Sequence, residues 1–217
     1  MIFPQGLFIT FEGIEGSGKS TQTRLLAERL RAQGHVVSVT REPGGTPIGE
    51  KIRDLVLHPP QAFSHQQTEF LLFCADRLEH VGSVIDPALK RGEVVICDRY
   101  IDSTLAYQLG GRQLNFKTDG WLEWLQVPIP HLTLFLDLPI EEGLKRANRR
   151  GDTNRFESES MAFHQRVRSL YLELHHKTPQ RIYRLEVSLE ESVDSVADRV
   201  WDQVLAYFKT RDREGCS

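Results

Sequence analysis

Cysteine is scarce in this chain, with three among 217 residues. Cys74 and Cys97 lie in apolar segments and Cys216 in the tail, a pattern with neither a disulfide framework nor metal-ligand spacing. A reduced, cytoplasmic setting is therefore expected. No apolar run approaches the roughly 18 residues of a membrane span, and no basic segment followed by a long apolar core stands at the N-terminus, so neither a span nor a signal peptide is expected. An excess of positive charge is also missing. The formal net charge of -3 gives no chain-wide basic field for gripping nucleic acid. Internal repeats, low-complexity tracts and Pro/Ser-rich linkers are absent, so residues 1–217 read as one domain, frayed in its polar tail from about residue 210.

What the chain does have is a core. Hydrophobic residues make up 40 % of it, concentrated in five short runs: Leu7 to Phe11, Val36 to Thr40, Val94 to Cys97, Leu132 to Asp137 and Ile182 to Glu186. Between them the pattern is mostly helical, as at Leu25, Leu26 and Leu30, with Gly34 and Gly92 where a glycine past a helix end belongs. Strands apolar throughout, alternating with helices, predict an α/β doubly wound parallel sheet covered on both faces. Ligands of such sheets sit beyond the carboxyl ends of the strands.

Directly after the first run comes "FEGIEGSGKST", residues 11 to 21. Gly13 to Ser20 fits G-x-x-x-x-G-K-S/T in full. Glycines let consecutive N–H groups curl around an anion, and the helix beginning near Lys19 points its positive dipole end at the same place. Lys19 can reach the β- and γ-phosphates of a nucleotide, and Ser20 can ligate Mg²⁺. After the third run, Asp98 can hold Mg²⁺ through water and Arg99 can fork onto a phosphate; a surface ion pair is the plain alternative. Ser103 and Tyr107, four apart, share a helix face. Phe73 and Arg77 do the same, and spacing alone favours a core phenylalanine with a surface arginine. The adjacent His175 and His176 read as exposed helix residues.

Glu12 to Ser20, then Arg41-Glu42-Pro43-Gly44-Gly45-Thr46, then Asp98-Arg99-Tyr100 with Ser103, Ala106, Tyr107 and Gln108, resemble bacterial thymidylate kinases in order and spacing over nearly the whole chain. The resemblance implies a P-loop NTPase-type sheet of about five strands and transfer of the γ-phosphoryl group of ATP to dTMP, with Mg²⁺, toward dTTP. It implies a homodimer without nucleic-acid or membrane partners. ATP would lie on Gly13, Ile14, Glu15, Gly16, Ser17, Gly18, Lys19, Ser20 and Thr21. The dTMP site would comprise Glu15, Arg41, Phe73, Arg77, Arg99, Ser103, Thr104, Tyr107 and Gln108. In it Phe73 would stack on thymine, Arg77 bond a base carbonyl, Glu15 accept the 3′-hydroxyl, and Tyr107 lie beneath the sugar. The metal would rest on Ser20 and Asp98.

Residues 143 to 160 concentrate Arg146, Arg149, Arg150 and Arg155. On composition this is a solvated helix face; by resemblance it is a lid over ATP, about residues 146 to 158, supplying the arginine that the glycine loop lacks. Lys19, Arg99, Asp98 and Arg155 are thus the expected catalytic set, although Asn154 stands where the family often has Asp. Ser188 falls where the adenine-contacting loop would begin. The GTPase alternative lacks an N-K-x-D stretch. A deoxynucleoside kinase would need a base for a neutral hydroxyl, whereas an arginine-rich site suits a phosphate acceptor. A non-catalytic nucleotide scaffold would have no need of Lys19, Ser20, Asp98 and Arg155 together.

Overall fold

The computed structural model describes residues 6–114, 120, 124–149 and 154–214. Five strands form one parallel sheet: β1 (Leu7–Glu12), β2 (Val37–Arg41), β3 (Val94–Asp98), β4 (Leu132–Asp137) and β5 (Ile182–Glu186), in the order β2-β3-β1-β4-β5. The second strand starts at Val37 because Val36 is largely exposed and gives the sheet only its carbonyl, to Val94. Every residue of β1 and β4 is buried, whereas the edge strands expose Val39 and Arg41 in β2 and Tyr183 and Glu186 in β5. An edge strand has only one paired flank, which is why the uniformly apolar pattern fades there.

Side chains on a strand alternate between faces, and β1 shows where each goes. Leu7, Ile9 and Phe11 join Leu26 and Leu30 of α1 (Lys19–Ala32), together with the α8 residues Val200 and Val204 (α8, Val193–Glu214). Phe8 points the other way, into a second core with Phe70 and Cys74 of α3 (Gln66–His80) and with Ile85 and Tyr100. A third cluster, from Ile14, Phe135, Phe163 and Tyr171, lies under α7 (Met161–Lys177). Leucine-sized side chains removed from water here contribute roughly 1.5–3 kcal/mol each.

The remaining helices are α2 (Pro47–Leu57), α4 (Asp86–Lys90), α5 (Ile101–Thr104), which continues as a π-helical turn over Leu105–Gly111, and α6 (Ile140–Asn148). Thr46 caps α2 by accepting from Gly49 N at 2.8 Å, with Pro47 as its first residue. Gly34 and Gly92 follow α1 and α4 with left-handed φ of 88° and 79°. The last helix runs from Val193 to Glu214, and Val196, Val200, Val204 and Phe208 anchor one face of it. No helix among the described residues is long and apolar enough to cross a membrane. Glycine loop, Arg41 and Asp98 all fall at the carboxyl edge of the sheet, β1 lying between β3 and β4 where the strand order reverses.

Candidate active site

The glycine loop leaves β1 at Glu12 and becomes α1 at Lys19. Gly16, at φ 70°, packs so closely on α6 that a Cβ would run into the carbonyl of Gly143. A Cβ on Gly143 would in turn meet the carbonyl of Glu15. That mutual approach seats the loop. No side chain caps α1, and its first residues, Lys19 to Gln22, line the cleft. Lys19 Nζ donates to the carbonyls of Gly13 at 3.0 Å and Ile14 at 2.7 Å. Burial, with Arg99 nearby, pushes its pKa down to about 8. Ser20 Oγ donates to Asp98 Oδ2 at 2.6 Å, joining the two residues expected at a metal.

Asp98 ends β3, and Arg99 follows at φ 67°, a left-handed backbone costly for a residue with a side chain. Its N–H donates to the carbonyl of Phe11, and its guanidinium to the carbonyl of Gly13 at 2.9 Å and to Glu15 Oε1 at 3.0 Å. Glu12, fully buried, holds the same turn: it accepts from Tyr100 N at 2.8 Å, Ser103 Oγ at 2.5 Å and Tyr171 OH at 2.8 Å. Burial, then Asp102, pushes the Glu12 carboxyl up to about 7 against the pull of those donors and Arg99. Glu15 goes the other way. Burial would raise it, but Arg99, Lys19 and the Tyr107 hydroxyl at 2.7 Å together hold it below its ordinary value. Its second oxygen, Oε2, is buried without a hydrogen bond, with His164 Nδ1 at 3.8 Å. A carboxylate with one oxygen fixed and the other open can accept a ligand hydroxyl.

On the acceptor side, Arg77 is 1 % exposed, so the surface alternative fails. It grips Glu42 through Nε at 2.9 Å and a terminal nitrogen at 2.7 Å, and donates to Thr104 Oγ1 at 3.0 Å. His80 shares Glu42 at 2.9 Å. These bonds use three of five guanidinium N–H groups, leaving two for the cleft that Arg77 lines. Phe73 lines it too, 6.2 Å from the ring of Phe156. Arg41 also lines it and pairs with Glu50 at 3.0 Å. Gln108 is buried beside Glu69. A single cleft of about 470 Å³, within the size range of small-molecule sites, is bounded by the loop residues Glu15 to Thr21 at one end and by Arg77, Thr104, Tyr107 and Gln108 at the other. Gly13 and Ile14 do not line it; both offer carbonyls to Lys19, and that of Gly13 also accepts from Arg99.

The lid arginine is where structure and expectation part. Arg146 lines the cleft; Arg155 does not. Arg155 pairs with Glu69 at 2.7 Å, donates to the carbonyl of Val56 at 2.5 Å, and lies 4.4 Å over the Phe156 ring. The reason is the burial of Glu69, a carboxylate that needs cationic partners. Asn154 does not orient Arg155. It spans its own turn instead, accepting from Phe156 N at 3.0 Å and donating to Glu157 at 3.1 Å. Arg149 is exposed, and Arg150 lies outside the described residues. His175, expected to be exposed, is half-buried and bonded to the carbonyl of Ile182. Sequence reasoning passed over Arg53, Glu69, Tyr171 and His164. The partners of Glu69, Tyr171 and His164 lie far away along the chain, so no local spacing points to them, while Arg53 donates to the nearby carbonyl of Pro43. Val187, Glu191, Val193 and Val196 also line the cleft, and the sequence marked that stretch only through Ser188.

Comparison with known proteins supplies an independent finding. A thymidylate kinase family profile matches residues 11–207. Thymidylate kinase from Syntrophotalea carbinolica is 46 % identical over 202 residues, covering 89 % of this chain and 93 % of that one. The Pseudomonas syringae pv. syringae enzyme of the same description is 53 % identical over 182 residues, covering 83 % and 86 %. A solved structure of thymidylate kinase from Ehrlichia chaffeensis superposes with a TM-score of 0.73 at 33 % identity, covering 93 % of this chain and all of that one.

Proposed function

Because the chain belongs to the thymidylate kinase family, we propose that it transfers the γ-phosphoryl group of ATP to dTMP, giving dTDP and ADP. The observation that carries this reading is the single cleft in which a phosphate-cradling loop and an arginine-lined pocket face each other. An acceptor phosphate is already ionised at neutral pH, so no general base is required, and catalysis reduces to positioning and charge stabilisation.

ATP would lie with its phosphates on the loop amides and the α1 N-terminus. Lys19 would exchange its bonds to the Gly13 and Ile14 carbonyls for phosphate oxygens, which restores the charge that burial disfavours. Among the described residues no three His, Cys, Asp or Glu side chains cluster as a metal cage. The oxygens of Ser20 and Asp98 fit Mg²⁺ instead, a hard cation that takes its remaining ligands from water and phosphate. When bound, that ion would neutralise charge on the phosphates. Arg99 would hold the acceptor phosphate, Glu15 Oε2 would accept the sugar 3′-hydroxyl, and Tyr107 would lie beneath the sugar. Phe73 would stack on the base, with Arg77 and Gln108 at its edge. Arg146, already in the cleft, is the better placed lid cation for the transferring group. We read the protein as a cytoplasmic homodimer by family kinship, which sedimentation would test as twice the chain mass.

The test is ADP formation with Mg²⁺, ATP and each deoxynucleoside monophosphate in turn. Strong preference for dTMP, lost when Mg²⁺ is omitted, is expected; equal turnover of all acceptors would refute the assignment.

A further inference from the structure

Glu69 is a buried carboxylate on α3 that touches none of the phosphate machinery, yet four donor contacts converge on it. Gln108 Nε2 donates to Oε1 at 2.7 Å. Arg112 Nε reaches Oε2 at 3.1 Å and Oε1 at 3.4 Å, and the Arg155 guanidinium lies 2.7 Å from Oε2. Arg112 and Arg155 are obligate donors, so the carboxylate that pairs with both serves them as an acceptor.

That has a consequence for Gln108. A side-chain amide has one donor end and one acceptor end, nearly identical in shape, and its environment decides which way round it sits. Facing an acceptor-only group, the NH₂ end must turn to Glu69, which leaves Oε1 as the end Gln108 offers to the cleft it lines. Among the described residues no donor is bonded to that oxygen. We propose that Glu69 is a positioning residue for base selection: by fixing the amide of Gln108 it presents a carbonyl oxygen to the acceptor pocket and selects a pyrimidine carrying an N3–H donor. A 2,4-dioxopyrimidine such as thymine satisfies it. Cytosine, whose N3 is an acceptor, sets two lone pairs against each other and leaves both unsatisfied, the arrangement that rejects analogues most strongly. The same carboxylate binds Arg155 and, through Arg112, reaches Glu159. Base selection and the placement of the lid segment therefore share one anchor.

This inference rests on the acceptor pocket being a pyrimidine site. The experiment is steady-state kinetics at saturating ATP with dTMP, N3-methyl-dTMP and dCMP as acceptors. Wild-type protein is compared with Glu69→Gln, Gln108→Leu and the double variant, each checked for folding by thermal melting. Wild type, which needs no variant to fold, is expected to use N3-methyl-dTMP and dCMP at least ~50-fold less efficiently than dTMP. In Glu69→Gln the amide partner no longer dictates orientation. The dTMP over dCMP preference should fall about tenfold, mainly through a higher KM for dTMP and with kcat within a few-fold. With Gln108→Leu already present, Glu69→Gln should change that ratio no further, which a general loss of structure would not reproduce. The proposal is overturned if wild type accepts N3-methyl-dTMP as readily as dTMP, if Glu69→Gln keeps the wild-type ratio, or if it shifts the ratio equally in the Gln108→Leu background. Failure of the functional reading looks different: no turnover of dTMP at all.

Discussion

Arg155 lies 2.7 Å from the carboxylate of Glu69, facing α3 and not the phosphate loop. Breaking such a buried pair costs about 3–5 kcal/mol, so in this arrangement Arg155 serves the placement of the lid segment. Arg146, held by Glu142 at 3.1 Å, stands in the cleft. Arg146→Ala is expected to lower kcat on the order of 10²-fold, in the range of a lost transition-state donor. Arg155→Ala should remain within about tenfold in kcat and act mostly on KM. Parallel kinetics on the two variants decide between them. A collapse of kcat in Arg155→Ala alone would mean that the Glu69 pair opens during turnover and that Arg155 is the donor.

Arg77 combines two jobs that substitution cannot separate. Removing it strands Glu42, which is 3 % exposed, with His80 as its remaining ionisable partner. Arg77→Ala should therefore destabilise the fold by roughly 3–5 kcal/mol, as well as raise the KM for dTMP. Denaturant melts run beside the kinetics check this: a raised KM with unchanged stability would show that the Arg77 bond to Glu42 contributes little.

A pH dependence is built into α3. Asp76 is fully buried; Oδ1 accepts from Gly44 N at 2.9 Å, while Oδ2 has no hydrogen bond. Burial, then the charge of Glu42, raises its pKa from 3.8 to about 7. Between those values the folded state holds a proton that the unfolded state has lost, so stability declines as pH rises, and above pH 7 the whole penalty remains. Asp76→Asn keeps the acceptor for Gly44 and removes the charge. Relative to wild type it should gain ~2–4 kcal/mol at pH 8 and much less at pH 5. Equal effects at both pH values would show that Asp76 does not titrate in this range.

Much of the fold was legible because its signals are local. Leu7 to Phe11 and Leu132 to Leu136 are apolar except for Thr10 and Thr133, which bond each other, since they become central strands buried on both faces. The glycine loop could be read from spacing because that spacing is itself the mechanism for approaching an anion. What could not be read was long-range pairing. Glu12 meets Tyr171 across 159 positions and Glu69 meets Gln108 across 39, and nothing near either glutamate announces its partner. The pairing of Arg155 with Glu69, 86 positions apart, was hidden for the same reason. Its neighbours suggested a lid facing phosphate, whereas its direction is set by a buried charge on α3.

The most direct test of the account follows the phosphorus itself. ATP labelled in its γ-phosphoryl group is incubated with the protein, Mg²⁺ and dTMP, and the products are separated. The label is expected in the β-phosphoryl position of dTDP, in step with ADP and with no release of free phosphate. Label recovered as inorganic phosphate, or retained in ATP while dTMP is untouched, would contradict it.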